Sequence, residues 1–243
     1  MSDFTTWRSL VDGEEIGVIP DSGGTHQWNA DEGSESTLAD AIGNLTGTRS
    51  TPEWRSDAGV GGHYLHFGGE DAVTLENGGR SELSHWINDG VGTYVCWINR
   101  DETGTRHMLV GGNRESGKKE LSISIEDDDS ISADMHTSNG KPIDVSGGSV
   151  LDDGWVCIAV TADGEDCFIY HTDENHHLDQ KSSASIETDD LESGDLDDDV
   201  QFGERTSDSD GLVGGFDVPW FDDVGRSETD LQSFVDDSKQ FFD

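Results

Sequence analysis

The chain has 243 residues, 31% of them hydrophobic, and 53 acidic against 14 basic side chains give it a formal charge of −39. That charge excludes nucleic acid and anionic lipid as partners, since both require positive stripes, and no apolar run approaches the ~20 residues of a membrane-spanning helix. A compact state so charged repels itself, but at about 1 M salt the Debye length is about 3 Å and surface carboxylates hardly sense one another, so the composition reads as haloarchaeal or haloviral.

Aromatics and β-branched residues recur among the acids along the whole chain, which an acidic disordered tail would not show. Seven Trp and nine Phe supply a core despite the low apolar fraction. The first residues, MSDFTTWRSLVDGEE, show no basic start and no apolar stretch, so no secretion signal is visible and folding in a cytoplasm is expected. Cys96, Cys157 and Cys167 are odd in number, and the first two lie in apolar runs. Buried free thiols and a Cys96–Cys157 disulfide both fit, and no CxxC spacing points to zinc.

Residues 1–25, with several Gly and a Pro, read as an N-terminal arm or extra edge segment, and residues 26–243 as one sandwich domain. From His26 a short strand leads through an acidic turn to the Asp40-Ala-Ile-Gly-Asn44 bend. HYLHF (63–67) and DAVTLE (71–76) flank Gly68-Gly69 and predict a hairpin. TYVCWINR (93–100) predicts a half-buried strand and RHMLVGG (106–112) another. ELSISIE (120–126) alternates strictly, Leu121, Ile123 and Ile125 to one side and Ser122 and Ser124 to the other. ISADMH (131–136) returns after an Asp turn, and 140–148 reads as a loop.

WVCIAVTADGEDCFIYHT (155–172) is the strongest hairpin signal, two apolar runs around Asp163-Gly164. Residues 173–199 read as a long solvated excursion with a short strand near Ala184–Ile186, and VQFGE (200–204) resumes the sheet. GGFDVPWFDDV (214–224) is a last strand in which Pro219 implies an edge position or a bulge. Ser227 with Asp230 three residues on caps a short helix whose apolar face is Leu231, Phe234 and Val235. About a dozen short strands and one small helix give an all-β, two-sheet antiparallel sandwich.

The segments WNADEGSESTLADAIGN (28–44), Trp54, YLHFGGEDAVTL (64–75), TYVCWI (93–98), DDGWVCIAVTADGEDCFIY (152–170), FGE (202–204) and GGFDVPWF (214–221) with SETDLQSF (227–234) carry a resemblance. Together the chain resembles the concanavalin A-like lectin superfamily, in particular its laminin-G-like jelly-roll domains. Two features depart from the pattern: Tyr170 leads into His171-Thr172 rather than an Asp-Gly turn, and Asp217 is followed by Val218 rather than a second acid. The resemblance implies a jelly-roll sandwich, frequent calcium binding, and frequent recognition of glycan or protein. It does not imply catalysis.

Through the resemblance, Asp40, Asn44 and Asp217 match the positions that hold a structural Ca2+ in some relatives, and oxygen ligands suit that ion. The alternative is that Asp40 and Asn44 only make turn hydrogen bonds. Asp208-Ser-Asp210-Gly211 has half the spacing of a calcium loop. Trp86 beside His85, in an otherwise polar loop, either stacks on a ligand such as a sugar face or caps the sandwich end, and in the first case its removal spares the fold. Glu187, Asp189 and Glu192 match an ExDxxE spacing of glycoside hydrolases in the superfamily, but without apolar residues at 188 and 190. His171, His176 and His177 cluster without a fixed ligand spacing.

The expectation is therefore a non-enzymatic recognition or structural module, an outward-facing decoration, spike or tail component of a virion assembled in a haloarchaeal cytoplasm. Its expected partners are a glycan or host surface component and other virion proteins, with a homo-oligomer as a further option. A glycoside hydrolase or lyase and a cellular surface lectin are the alternatives.

Overall fold

The computed structural model describes residues 9–11, 14–16, 26–28, 33, 36–59, 62–75, 79–111, 118–150, 154–197, 199–204 and 211–242. The strongest turn signal builds the hairpin it predicts: β14 (Val156–Asp163) pairs with β15 (Asp166–Thr172), Ala162 opposite Cys167 and Ile158 opposite His171. Gly164 takes φ +94°, and the Asp163 carboxylate accepts the N–H groups of Glu165 and Asp166. A residue with no Cβ is what that turn requires.

The hairpin belongs to one of two antiparallel sheets. The first, hereafter the helix-covered sheet, runs β16 (Leu178–Ser185), β15, β14, β9 (Val91–Arg100), β18 (Val213–Asp222), β7 (Tyr64–Gly68), β6 (Glu53–Arg55), with β3 (His26–Gln27) added to β18. The second, the polar-faced sheet, runs β13 (Ile143–Gly147), β12 (Ile131–His136), β11 (Glu120–Ile125), β10 (His107–Gly111), β17 (Gln201–Phe202), β8 (Val73–Leu75), β5 (Gly47–Arg49), β4 (Thr37–Leu38). β1 (Ser9–Val11) and β2 (Glu14–Ile16) form a separate two-stranded ladder. Three short α-helices, α1 (Gly79–Glu82), α2 (His85–Asp89) and α3 (Glu228–Ser238), and 3-10 turns at Thr188–Asp190 and Lys239–Phe241 complete the described structure.

The main core lies between the sheets. Phe67, Cys96, Ile98, Ile158, Phe216 and Phe221 from one sheet meet Val73, Val110, Leu121, Ile123 and Phe202 from the other. A second core lies on the outer side of the helix-covered sheet. There Trp97, Trp155, Val95, Cys157 and Trp220 pack against Leu231, Phe234 and Val235 of α3 and against Phe242. Trp97 stacks on Phe242 at 4.5 Å and donates its Nε1–H to Ser238 Oγ at 2.9 Å. Ser227 caps α3 reciprocally with Asp230, as its sequence predicts.

This second core explains why TYVCWINR is buried on both faces rather than half-buried: α3 occupies the side that solvent would have wetted. Other expectations are corrected as well. The 63–67 and 71–76 runs form no hairpin, because β7 pairs with β18 and β6 whereas β8 pairs with β17 and β5. The chain crosses between sheets there, turning at Gly69 with φ +93°. Residues 143–147, read as loop, are an edge strand, and the excursion after Asp173 contains the eight-residue β16, whose polar sequence suits an edge exposed to water. Pro219 lies at a bulge, where the β18–β9 register shifts between Asp217 and Trp220.

Cys96 lies opposite Ile158 and faces the inter-sheet core, whereas Cys157 lies opposite Trp97 and faces α3. Opposite faces of a sheet cannot be bridged, and all three cysteines are free and buried. Burial pushes the Cys96 and Cys167 thiols up to about 12, so they are poor nucleophiles.

Candidate functional site: the outer face of the polar-faced sheet

Residues directly opposite one another in a ladder share a face. One such row crosses all eight strands of the polar-faced sheet: Thr37, Thr48, Thr74, Gln201, Gly111, Ser122, Asp134, Asp144. The adjacent row reads Val73, Phe202, Val110, Ile123, Ala133, Val145, and all of these lie in the main core. Alternation therefore turns a polar row outward, with hydroxyls, an amide and carboxylates on either side of a gap that the Met108 side chain fills. Gly111 stands in the middle of that row.

The side chains are held by one another. Lys141 places its Nζ 2.5 Å from Asp134 Oδ1 and 2.9 Å from Asp144 Oδ1, tying β12 to β13. Burial alone would lower the Lys141 pKa, but these two carboxylates raise it, so the ammonium stays charged. Arg106 lies 3.2 Å from Glu126 Oε1 through Nε and donates from its other arm to Ser124 Oγ at 3.2 Å. Ser132 Oγ donates to Asp134, and Gln201 Nε2 donates to Thr74 Oγ1 at 3.0 Å. The face is shielded, with Ser122, Ser124, Glu120 and Asp134 at 2%, 1%, 3% and 7% exposure. In such surroundings a hydrogen bond is worth more than in open water. The Gln201 Oε1 is buried there and accepts no hydrogen bond among the described residues.

The residues singled out from the sequence fall elsewhere. Trp86 is not in a loop: it lies on α2 with 1% exposure, inside the main core. A ring so enclosed has no face to offer a sugar, and it plays the capping role left open above. His85 sits beside it with Nδ1 2.8 Å from the Glu82 carbonyl oxygen and Nε2 3.1 Å from that of Asp222, and burial holds its pKa below the usual value despite both carbonyls. His85 thus ties α2 to the end of β18.

Asp40 is the centre of a turn. Its Oδ1 accepts from the N–H groups of Gln27, Ile42 and Gly43, and its Oδ2 accepts from Leu45 N–H and lies 2.6 Å from His26 Nδ1. Burial would raise its pKa, but the His26 contact and the backbone donors hold it below the usual value. A carboxylate has about four lone-pair sites, so five donors occupy it fully. Asn44 is exposed. Asp217 is fully buried and accepts the Val218 N–H at 2.8 Å, beside a left-handed Val218 with φ +46°. Asp40, Asn44 and Asp217 as arranged do not fit a calcium shell, and no group of three or more His, Cys, Asp or Glu able to hold a metal occurs among the described residues. The Asp208–Asp210 loop lies outside the described residues.

Glu187, Asp189 and Glu192 do not share a strand face. Thr188–Asp190 is a 3-10 turn, and Glu192 is bonded to the N–H and hydroxyl of Ser138. His171 is buried at 4% exposure, His176 packs on Trp97 at 5.4 Å, and His177 pairs with Asp179 at 3.3 Å, so the three histidines serve separate contacts.

This two-sheet architecture recurs among solved structures. Domain 4 of a GH43 extracellular arabinanase from Geobacillus stearothermophilus, in complex with arabinotriose, superposes with a TM-score of 0.61 at 13% identity, covering 86% of this chain and 97% of that one. The binding domain of Paraclostridial Mosquitocidal Protein 1 gives 0.64 at 14% identity, covering 86% of this chain and 51% of that one. Trypanosoma rangeli sialidase in complex with the inhibitor DANA gives 0.64 at 12%, covering 94% and 35% respectively. At these identities the likeness establishes the fold alone. No family model matches the chain, and no curated protein matches it in sequence. No described helix is long and apolar enough to cross a membrane.

The sequence did signal part of the polar face. Strict alternation in ELSISIE sets Ser122 and Ser124 apart from the core residues, and ISADMH does the same for Ser132 and Asp134. What it lacked was pairing, since Thr74 and Gln201 come from two- and three-residue strands too short to show a period.

Proposed function

We propose that the chain is a non-enzymatic recognition module that binds glycan through the outer face of the polar-faced sheet. The polar row across eight strands carries this reading. Sugar hydroxyls both donate and accept, and the row offers both kinds of partner, with Thr37, Thr48, Thr74 and Gln201 half-buried and Asp144 exposed. The fold likeness to an arabinanase domain in complex with arabinotriose supports the same class of ligand. So does the resemblance to concanavalin A-like, laminin-G-like jelly rolls. The Glu187, Asp189 and Glu192 set lacks the paired geometry that glycoside hydrolysis requires, so the reading is binding rather than turnover.

In this reading the module sits on the exterior of a halophilic archaeal virus particle, as a decoration, spike or tail component beside other virion proteins. The charge of −39 supports a high-salt habitat. A glycan array probed in molar KCl tests the binding. Gln201→Ala and Thr74→Val should each weaken a bound saccharide severalfold while leaving the unfolding midpoint unchanged; retention of full affinity in both would remove the face from consideration. Mass spectrometry of purified particles tests the location, and a protein found only free in cytosol would overturn it.

A further inference from the structure

We infer that Asn139-Gly140, in the turn between β12 and β13, is a modification site: Asn139 deamidates when the strap formed by residues 187–197 lifts off it, and the product keeps the strap from reseating. The inference does not depend on the ligand reading above. An asparagine followed by glycine is the pair most open to this reaction, because no Cβ hinders the glycine nitrogen as it approaches the carboxamide. Asn139 is exposed and Gly140 half-buried. With the strap seated, a Cβ on Gly140 would fall 2.2 Å from an Asp190 carboxylate oxygen, so the fit of the strap itself calls for glycine beside the asparagine.

The turn and the strap hold each other. Asn139 Nδ2 donates to the Leu191 carbonyl at 3.3 Å and Thr137 Oγ1 to that of Asp190 at 2.7 Å, while the Ser138 N–H and hydroxyl both donate to Glu192 Oε2. Gly140 N–H donates to Thr137 Oγ1 at 3.2 Å. These bonds keep the carboxamide and the glycine nitrogen apart while the strap is down. Once they open, the Gly140 nitrogen attacks Asn139 Cγ, the Cγ–Nδ2 bond breaks, and ammonia leaves with the proton of the Gly140 N–H. Water then opens the cyclic imide at Cγ to give aspartate, or at the main-chain carbonyl to give isoaspartate; nothing is oxidised or reduced. Aspartate sets an acceptor where a donor had faced the Leu191 carbonyl, beside the Glu192 carboxylate, and two acceptors cannot bond. Molar salt screens only beyond about 3 Å, so it does not relieve that contact. Isoaspartate adds a methylene to the main chain and so shifts Gly140 O from Thr137 N–H and Lys141 N–H from Asp190 Oδ2. A lifted strap uncovers Leu191 and Leu196 at the main core.

The test is to age the folded protein in warm, mildly alkaline molar KCl and map its peptides for aspartate and isoaspartate at 139, beside a free peptide of residues 137–141 in the same buffer. The folded chain should convert severalfold more slowly than the peptide. Glu192→Ala, which removes both bonds to Ser138, should convert severalfold faster than the unmutated chain; circular dichroism checks that it stays folded. No product in either protein while the peptide converts fully would overturn the site. Equal rates in peptide and folded chain, or no gain in a folded Glu192→Ala protein, would overturn the control by the strap. Hydrogen exchange tests the latch at the Glu192 and Gly194 N–H groups, which donate to Ile87 O and Asn88 Oδ1. Asn139→Asp should speed their exchange severalfold, and more than Asn139→Ala, which removes the donor without adding charge. Equal exchange in the two variants would overturn the latch.

Discussion

The two sheets present opposite solutions on their outer faces. On the helix-covered sheet the outward residues are Val95, Trp97, Trp155, Cys157 and Trp220, and α3 with Phe242 seals them. On the polar-faced sheet the outward row is Thr, Thr, Thr, Gln, Gly, Ser, Asp and Asp, held by ion pairs and hydroxyls. Both faces are largely shielded, so burial by itself does not separate them. Chemistry does: one face is a second apolar core, and the other holds hydroxyls, an amide and carboxylates bonded to one another.

Withdrawing salt should have the largest effect and break both faces together. Dialysis to low ionic strength is expected to abolish the folded state, because a charge of −39 is compatible with a compact chain only when screened, and magnesium or calcium should restore it at lower concentration than sodium. A melting temperature independent of ionic strength would contradict this.

Next in size is Trp97→Ala. The ring is fully buried, stacked on Phe242 and bonded to Ser238, and its truncation should cost about 3–5 kcal/mol, a large part of the ~5–15 kcal/mol of a typical domain. The loss should be the same at every salt concentration that supports folding, since it is apolar packing that is removed. Trp86→Ala should be comparably costly, against the expectation drawn from sequence, because that ring also lies in a core.

Acid should act more gradually, through groups outside the polar face. His107 is fully buried, accepts the Val213 N–H at Nδ1 and faces the Glu102 carbonyl with Nε2. Burial, with the Arg100 charge adding to it, holds its pKa below 6.5. The unfolded chain therefore takes up the proton first, and stability, complete above about pH 6.5, should decline as pH falls through that value toward the folded pKa. Asp40, held low in the fold, should add a second loss below about pH 4. Denaturation midpoints flat from pH 7 to 5 in molar salt would refute the histidine part.

Smallest should be Thr37→Val and Thr48→Val on the polar face, where both residues are half-buried rather than enclosed. Each is expected to shift stability by no more than about 1 kcal/mol and yet to lower glycan affinity measurably. A loss as large as that of Trp97→Ala would mean that the face is a structural core like its counterpart.

Most of the sandwich was legible in the sequence because its strands carry a period. ELSISIE, the Asp163-Gly164 turn and the Ser227–Asp230 cap each fix local geometry from adjacent residues. What stayed hidden depends on partners distant in the chain. Trp86 reads as a loop residue because its neighbours are polar, and only the packing of α2 against β9 buries it. Asp40 fits a calcium ligand as well as a turn acceptor until Gln27 and Leu45 are brought to it. β16 carries only Leu178 and Ala184 as apolar residues among six polar ones, too few to show a period, because an edge strand needs little more.

The position of β18 bears on how the protein is made. This strand lies between β9 and β7 and pairs with both, yet Val213–Asp222 is synthesised after every other described strand. Until it leaves the ribosome, β9 and β7 lack their common neighbour and present open edges. The helix-covered sheet therefore cannot close during most of translation, and its long-range pairing is intrinsically slow to form. Over that interval, in salt that screens the chain's negative charge, those edges stay open to pairing with another copy until β18 fills the gap.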